Sequence, residues 1–281
     1  MNVQWYPGHM TKARRMMEED IKLIDLVIEL VDARLPLSSR NPDIDKLAEN
    51  MARIILMNKS DMADEKQNRL WTNWLKKKGY HVVLINSKTG AGVKNINDVV
   101  TVACRDKIER DRKRGIKNRP VRAMVVGIPN VGKSTFINSY VGKAYTKTGN
   151  KPGVTKGKQW IRVNKTLELL DTPGILWPKF DDEQIGINLA ISGSINDDIL
   201  NKPELVLSLI SYLKEYYKGS LNNRYGIDES APSLECIYVI AGKRGCLIKG
   251  GEPDIEKASN ILLDDFRNCR LGRITLERCP E

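Results

Sequence analysis

Short apolar runs bounded by polar turns recur through the first part of the chain: Leu26 to Val31, Ile54 to Met57, Val82 to Ile85, Ala123 to Val126 and Leu167 to Leu170. Such runs predict strands buried on both faces of a mostly parallel sheet. Stretches with helical spacing separate them, at Thr11 to Leu23, Pro42 to Asn50, Glu65 to Lys78, Val93 to Arg114 and Lys133 to Val141. Strand and helix in alternation specify an α/β domain with helices on both faces of the sheet. After Pro178 the strand-like runs stop. Pro203 to Tyr217, Pro232 to Ile240 and Asp254 to Asn268 have helical spacing, begin near Pro or Asp, and are separated by turns rich in Gly and Asn. The expected organisation is an α/β domain over residues 1–180 followed by a small all-helical domain over residues 181–281.

Composition narrows the class. With 41% hydrophobic and 29% charged residues in 281, the chain can fold as one large domain or two ordinary ones. No apolar run approaches the roughly 18 to 20 residues of a membrane helix, and MNVQWYPGHMTKARR lacks the apolar core of a signal peptide. A cytoplasmic protein with no membrane partner is expected. The five cysteines form no CxxC pair and there are only two histidines, a pattern of buried thiols rather than zinc ligands or disulfides. The net charge of +11 is regional: +16 over residues 1–180 and −5 over residues 181–281. Residues 143–162 hold six basic side chains and no acidic one, and residues 105–122 hold nine basic and three acidic. Such clusters suit a polyanion, or else form a solvated face.

Candidate chemistry begins at Ala123, where an apolar strand runs into Gly127-x-x-x-x-Gly132-Lys133-Ser134 and then a helix. Strand, glycine-rich loop and helix together define a P-loop, whose N–H groups close around phosphates. Asn130, Val131, Gly132, Lys133, Ser134 and Thr135 would line them, Lys133 giving charge to the β and γ phosphates and Ser134 a hydroxyl to Mg²⁺. Asn58-Lys59-Ser60-Asp61 follows directly on another apolar strand. An aspartate there can accept both N–H donors on guanine's edge, a pattern adenine lacks, while Asn58 and the Lys59 stem shape the pocket. By itself this is also a common polar turn. Ser87-Lys88 stands where a second base-contacting loop is expected. Asp171-Thr172-Pro173-Gly174 ends a further strand, with Asp171 able to hold Mg²⁺ through water and the Gly174 N–H able to meet the γ-phosphate. In Lys151-Pro-Gly-Val-Thr155-Lys-Gly, Thr155 could complete the Mg²⁺ ligands. Together these loops predict binding of GTP and GDP with Mg²⁺.

Their order is unusual, because the guanine loops precede the P-loop. That order, with WYPGHMTKARR, VDARLPLSSRNP at 31–42, GIPNVGKST, TGNKPGVTKGKQW and DTPGILWPKF, resembles the circularly permuted GTPases, and among them the bacterial ribosome biogenesis GTPase A family. The resemblance spans nearly the whole chain and is densest over residues 1–180; in the tail it rests mainly on GKRGC at 242–246. It implies a circularly permuted P-loop GTPase domain, GTP hydrolysis, and work on a precursor of the large ribosomal subunit through its RNA and proteins. In such proteins the GTP state binds, hydrolysis releases, and the subunit acts as activator. The tail of these proteins resembles a helical RNA-binding domain; DNA is not an expected partner. Permutation also has a mechanical consequence, since the chain leaving Gly174 runs directly into the helical domain and nucleotide state could move it.

Ras-like enzymes place a water-orienting Gln after the DxxG glycine, where this chain has Ile175. His81 opens an apolar strand and reads as structural. His9, in Tyr6-Pro-Gly-His9, reads on residues alone as part of a helix start. The resemblance instead assigns it to activating water. Asn130 stands where related GTPases bind potassium, although loop capping is the alternative. In the net-negative tail, Lys243, Arg244 and Lys249, or Arg267, Arg270 and Arg273, are the candidate RNA contacts. Two other readings stay open: a GTP-dependent RNA or protein clamp in which hydrolysis is incidental, and a P-loop kinase for a metabolite.

Overall fold

The computed structural model describes residues 15–116, 119–143, 159–174, 176–177, 180, 182–196 and 201–280. The chain divides into two units, Met1–Phe180 with Glu277–Glu281, and Asp181–Leu276. Residues 277–280, grouped with the tail on sequence, thus belong to the first unit.

Six strands form the sheet of that unit: β1 (Leu26–Asp32), β2 (Ala52–Asn58), β3 (His81–Leu84), β4 (Val121–Val126), β5 (Gln159–Arg162) and β6 (Leu167–Asp171). Their order is β3-β2-β1-β4-β6-β5, all parallel except β5, which runs antiparallel to β6. Every residue of β1 is buried, Glu29 included, and Arg53 Nη2 meets the Glu29 carboxylate at 2.6 Å. Ile55 and Met57 of β2 pack with Val31, Trp71, Leu75 and Val82, while alternation sends Ile54 and Leu56 to the other face. The chain goes from β1 toward β2 and from β4 toward β6, so the crossovers diverge between β1 and β4. Parallel sheets bind ligands at the carboxyl ends of such a switch point.

Helices of this unit among the described residues include a helical run at 15–20 leading into a 3₁₀ turn at Ile21–Leu23, then α1 (Pro42–Leu47), α2 (Glu65–Lys77), α3 (Ile96–Ala103), α4 (Arg105–Lys113) and α5 (Lys133–Val141). Asp64 caps α2 by accepting from the Lys66 and Gln67 N–H groups at 2.7 and 3.1 Å. The single helix expected over Val93 to Arg114 is instead a 3₁₀ turn at Val93–Asn95, then α3 and α4 with a break at Cys104. Ile96 and Val100 bury one side of α3, whereas α4 has no buried residue and is tied by Lys107 to Asp25 and Asp111.

The second unit contains α6 (Glu183–Ile191), α7 (Lys202–Tyr216), α8 (Ser220–Tyr225), α9 (Ser233–Lys243) and α10 (Ile255–Arg267). Its core gathers on α7, through Leu205, Val206, Leu209, Ile210 and Leu213, against the other four helices. Buried Asp265 accepts from Arg224, Arg270 and the Tyr225 hydroxyl. No helix among the described residues is long and apolar enough to cross a membrane. Cys104, Cys236 and Cys246 are buried thiols; Cys269 and Cys279 are half-buried.

Candidate functional site

The carboxyl ends of the parallel strands carry most of the predicted residues. Asp32 ends β1, Asn58 ends β2 opposite it, and Asp171 ends β6 opposite Val125 of β4. Gly127 follows β4 and opens the loop into α5. His81, by contrast, begins β3 at the other edge.

Asn58 ties three loops together. Its Nδ2 donates to the Val131 carbonyl at 2.8 Å, and its Oδ1 accepts from the Ser87 N–H at 3.0 Å. A Cβ on Gly132 would lie 2.5 Å from Asn58 Nδ2, and Gly132 has φ +102°, so glycine is required there on both counts. Lys59 reaches Asp32 Oδ2 at 2.8 Å and the Asn130 carbonyl at 3.0 Å. Asp61, on the same loop, is exposed. The Ser87 N–H and the Lys88 N–H are both taken, the second by Asn86 Oδ1 at 2.9 Å. Ser87 Oγ is buried with no hydrogen-bond partner among the described residues, while Lys88 is exposed.

Lys133, at the first turn of α5, is buried and donates to the Gly127 and Ile128 carbonyls at 2.9 and 3.3 Å. Burial pulls its ammonium down to about 8, partly offset by the Asp171 carboxylate. A Cβ on Gly174 would stand 2.8 Å from Lys133 Nζ, so the DTPG glycine lies directly against the P-loop cation. Thr172 Oγ1 donates to the Val125 carbonyl at 2.7 Å and fixes that loop to β4. Ser134 and Thr135 occupy the first turn of α5, with their N–H groups in the part of a helix that attracts anions. A buried cation short of charge compensation, beside two glycine approaches, fits a phosphate chain. Ser134 and Asp171 offer the hard oxygen donors that suit Mg²⁺. His9, Thr155 and Ile175 lie outside the described residues.

Sequence reasoning missed the support beneath Lys59. Asp32 is buried and holds Arg34 by bonds of 2.9 and 2.7 Å in addition to Lys59. Burial alone would raise its carboxyl, but Arg34 and Lys59 together hold it well below the usual carboxylate range. The Asp32 N–H donates to Ser39 Oγ at 2.9 Å. The available signal was an aspartate ending a fully apolar strand. Arg34→Ala is expected to cost about 3–5 kcal/mol, the scale for breaking one partner from a buried charge cluster. Urea denaturation at neutral pH checks it. Because the Asp32 carboxyl is lowered, the cluster's contribution is complete above about pH 4 and is lost as pH falls further.

Several basic side chains proposed for a polyanion are engaged internally. Lys107 and Arg119 pair with Asp25, and Arg122 pairs with Glu168 and covers Trp160. In the helical unit Arg267 donates to the Ile191 and Ala190 carbonyls, and Arg270 is bound to Asp264 and Asp265. Lys249, Arg273, Arg105, Arg110, Arg112, Lys113 and Arg114 are exposed.

Known proteins share this arrangement. A family model described as "50S ribosome-binding GTPase" matches residues 122–228. Ribosome biogenesis GTPase A of Bacillus cereus is 46% identical, over 100% of this chain and 95% of its own length. The protein of that name from Thermotoga maritima is 33% identical over 99% of this chain and 95% of its own. Two solved structures of Thermotoga maritima YlqF, one GDP-bound and one GNP-bound, superpose with TM-scores of 0.69 and 0.68 at 28% and 29% identity. They cover 94% and 96% of this chain, and 99% of each of those chains is covered in turn.

Proposed function

Since the chain belongs to the ribosome biogenesis GTPase A family, we propose that it is a GTP-hydrolysing assembly factor for the large ribosomal subunit. It engages the precursor particle in the cytoplasm in its GTP state and leaves after hydrolysis. Residues 1–180, joined by the segment from Glu277 onward, act as the circularly permuted GTPase and residues 181–276 as an RNA-recognising helical part. The close approach of Gly174 to the Lys133 ammonium carries the reading, because it sets a glycine three residues past β6 where the presence of a γ-phosphate can be felt.

In this reading Asn130 to Thr135 wrap the phosphates with their N–H groups, and Lys133 places its charge on the β and γ oxygens. Asp61 accepts from the guanine edge, Asn58 and Lys59 hold its loop to the P-loop, and Ser87 with Lys88 close the other side. Ser134, Thr155 and Asp171 would hold Mg²⁺, which supplies charge neutralisation at the transferring phosphoryl group. Ile175 cannot orient water, so His9 takes that role, and Asn130 would help to hold K⁺, whose charge would add to that of Lys133. The exposed arginines of α4 and the Lys249 and Arg273 side chains are the candidate RNA contacts. Phosphate contacts of this kind make association fall steeply with salt.

GTP turnover measured with large and with small ribosomal subunits tests the proposal. Stimulation by the large subunit alone is expected, faster in potassium than in sodium, and lost in His9→Ala while nucleotide affinity stays near that of the wild type. Turnover indifferent to large subunits would favour a nucleotide-dependent clamp instead.

A further inference from the structure

The last residues of the chain reach a turn beside the nucleotide loops. The Glu277 carboxylate accepts from the Leu37 N–H at 2.6 Å, from the Ser38 N–H at 2.8 Å and from the Ser38 hydroxyl. The Glu277 carbonyl accepts from Trp71 Nε1 at 3.2 Å. Two residues on, the Cys279 N–H donates to Gln67 Oε1 at 3.1 Å, and its side chain packs on the core around Trp71 and Val31. A carboxylate that takes three donors from one short turn removes most of that turn's conformational freedom.

The turn leads back to the site by direct contacts. Ser39 follows Ser38, donates its hydroxyl to the Leu35 carbonyl at 2.6 Å, and accepts the Asp32 N–H. Asp32 holds the Lys59 ammonium, and Lys59 bonds the Asn130 carbonyl of the P-loop. On the other side of Glu277 along the chain, Thr275 is fixed within the helical unit. Its carbonyl accepts from the Tyr212 and Tyr217 hydroxyls at 2.8 and 3.1 Å, and its N–H donates to Tyr217 at 2.9 Å. Only Leu276 separates the two anchored residues.

We infer that Glu277 is a positioning residue for guanine recognition: the C-terminal tail clasps the 37–39 turn and, through Ser39, Asp32 and Lys59, sets the spacing between the Asn58–Asp61 loop and the P-loop. The inference rests on the guanine site proposed above. It gives the helical unit a second covalent attachment to nucleotide-binding elements, besides the chain that runs on from Gly174. A clasp that only supported the fold would alter melting and leave nucleotide release untouched. A clasp coupled to the site must change nucleotide affinity, which is read mainly in the release rate, and by reciprocity bound nucleotide must tighten the clasp.

Release of a fluorescent GDP analogue is the test, with Glu277→Ala and a chain ending at Leu276 compared with the unaltered protein. Both are expected to release it about fivefold faster or more, at the lower end of coupling between linked sites. Glu277→Gln, which keeps one acceptor oxygen, should fall between. In the unaltered protein, GDP should slow hydrogen exchange of the Leu37 and Ser38 amides. Wild-type release rates from folded variants, or exchange at Leu37 and Ser38 that ignores GDP, would overturn the clasp. Failure of the unaltered protein to bind the analogue at all is a separate result, and it overturns the guanine site itself.

Discussion

Lys133→Met is expected to weaken GDP and GTP binding by about two to four orders of magnitude, corresponding to the roughly 3–5 kcal/mol lost when one partner of a buried charge pair is removed. The fold should survive, because the lysine is buried at a cost that already lowers its ammonium to about 8, and methionine fills similar space without that charge. The same shift predicts a pH signature. Bound phosphate favours the charged lysine, so below about pH 8 the free site is already protonated and affinity is flat. Above it, binding must take up a proton, and affinity falls by up to about tenfold per pH unit. The free protein behaves oppositely: between about pH 8 and the ordinary lysine value near 10.4 the unfolded chain holds a proton the folded chain does not, so this group's effect on stability improves as pH rises. Lys133→Met should abolish both dependences. Calorimetric titration with GDP from pH 7 to 9.5 checks binding, and a variant binding as tightly as the wild type at pH 7 would remove Lys133 from the phosphate site.

How far the molecule was legible from sequence depended on whether the cue was local. β1 announced itself because only Glu29 and Asp32 interrupt its apolar run, and α5 because Gly132 and Gly142 bracket it with positive φ angles. β5 did not, since Gln-Trp-Ile-Arg is an edge strand with Trp160 41% exposed and only Ile161 fully buried among its described side chains. The break at Cys104 was hidden because helical spacing continues through it; only the loss of buried side chains in α4 marks the change. α8 is six residues long, and its start depends on Glu229 accepting from the Gly219, Leu221 and Asn222 N–H groups, a contact made from further along the chain. The loops at the strand ends were legible one by one because glycines and terminal polar residues follow apolar runs. What joins them was not. The Asp32–Lys59 contact depends on the β1–β2 register, and the Glu277 contact spans 240 positions.

Asp61→Asn should exchange the base that the protein accepts. Guanine offers N1–H and its exocyclic amino group as two adjacent donors, and a carboxylate accepts both. An asparagine amide has one acceptor and one donor, so its NH₂ confronts the guanine amino group. GDP affinity should fall by about 10³-fold, the scale of losing one hydrogen bond to a charged acceptor at roughly 1.5–3 kcal/mol, weakening the other and leaving two donors face to face. Xanthine carries a carbonyl where guanine carries the amino group, so it presents one donor and one acceptor to the same edge. Xanthosine diphosphate should therefore bind the variant better than GDP does, reversing the wild-type order. Asp61 is exposed, and the loop is held instead by Asn58 on Val131 and Ser87 and by Lys59 on Asp32, so the substitution leaves the scaffold intact. That separation of base contact from loop support makes the outcome decisive. Competition by GDP, xanthosine diphosphate and ADP against a fluorescent nucleotide reads it directly. A variant that keeps its preference for GDP would show that Asp61 does not face the base, and ADP competing equally with GDP in the wild type would mean that the Asn58–Asp61 loop does not select guanine.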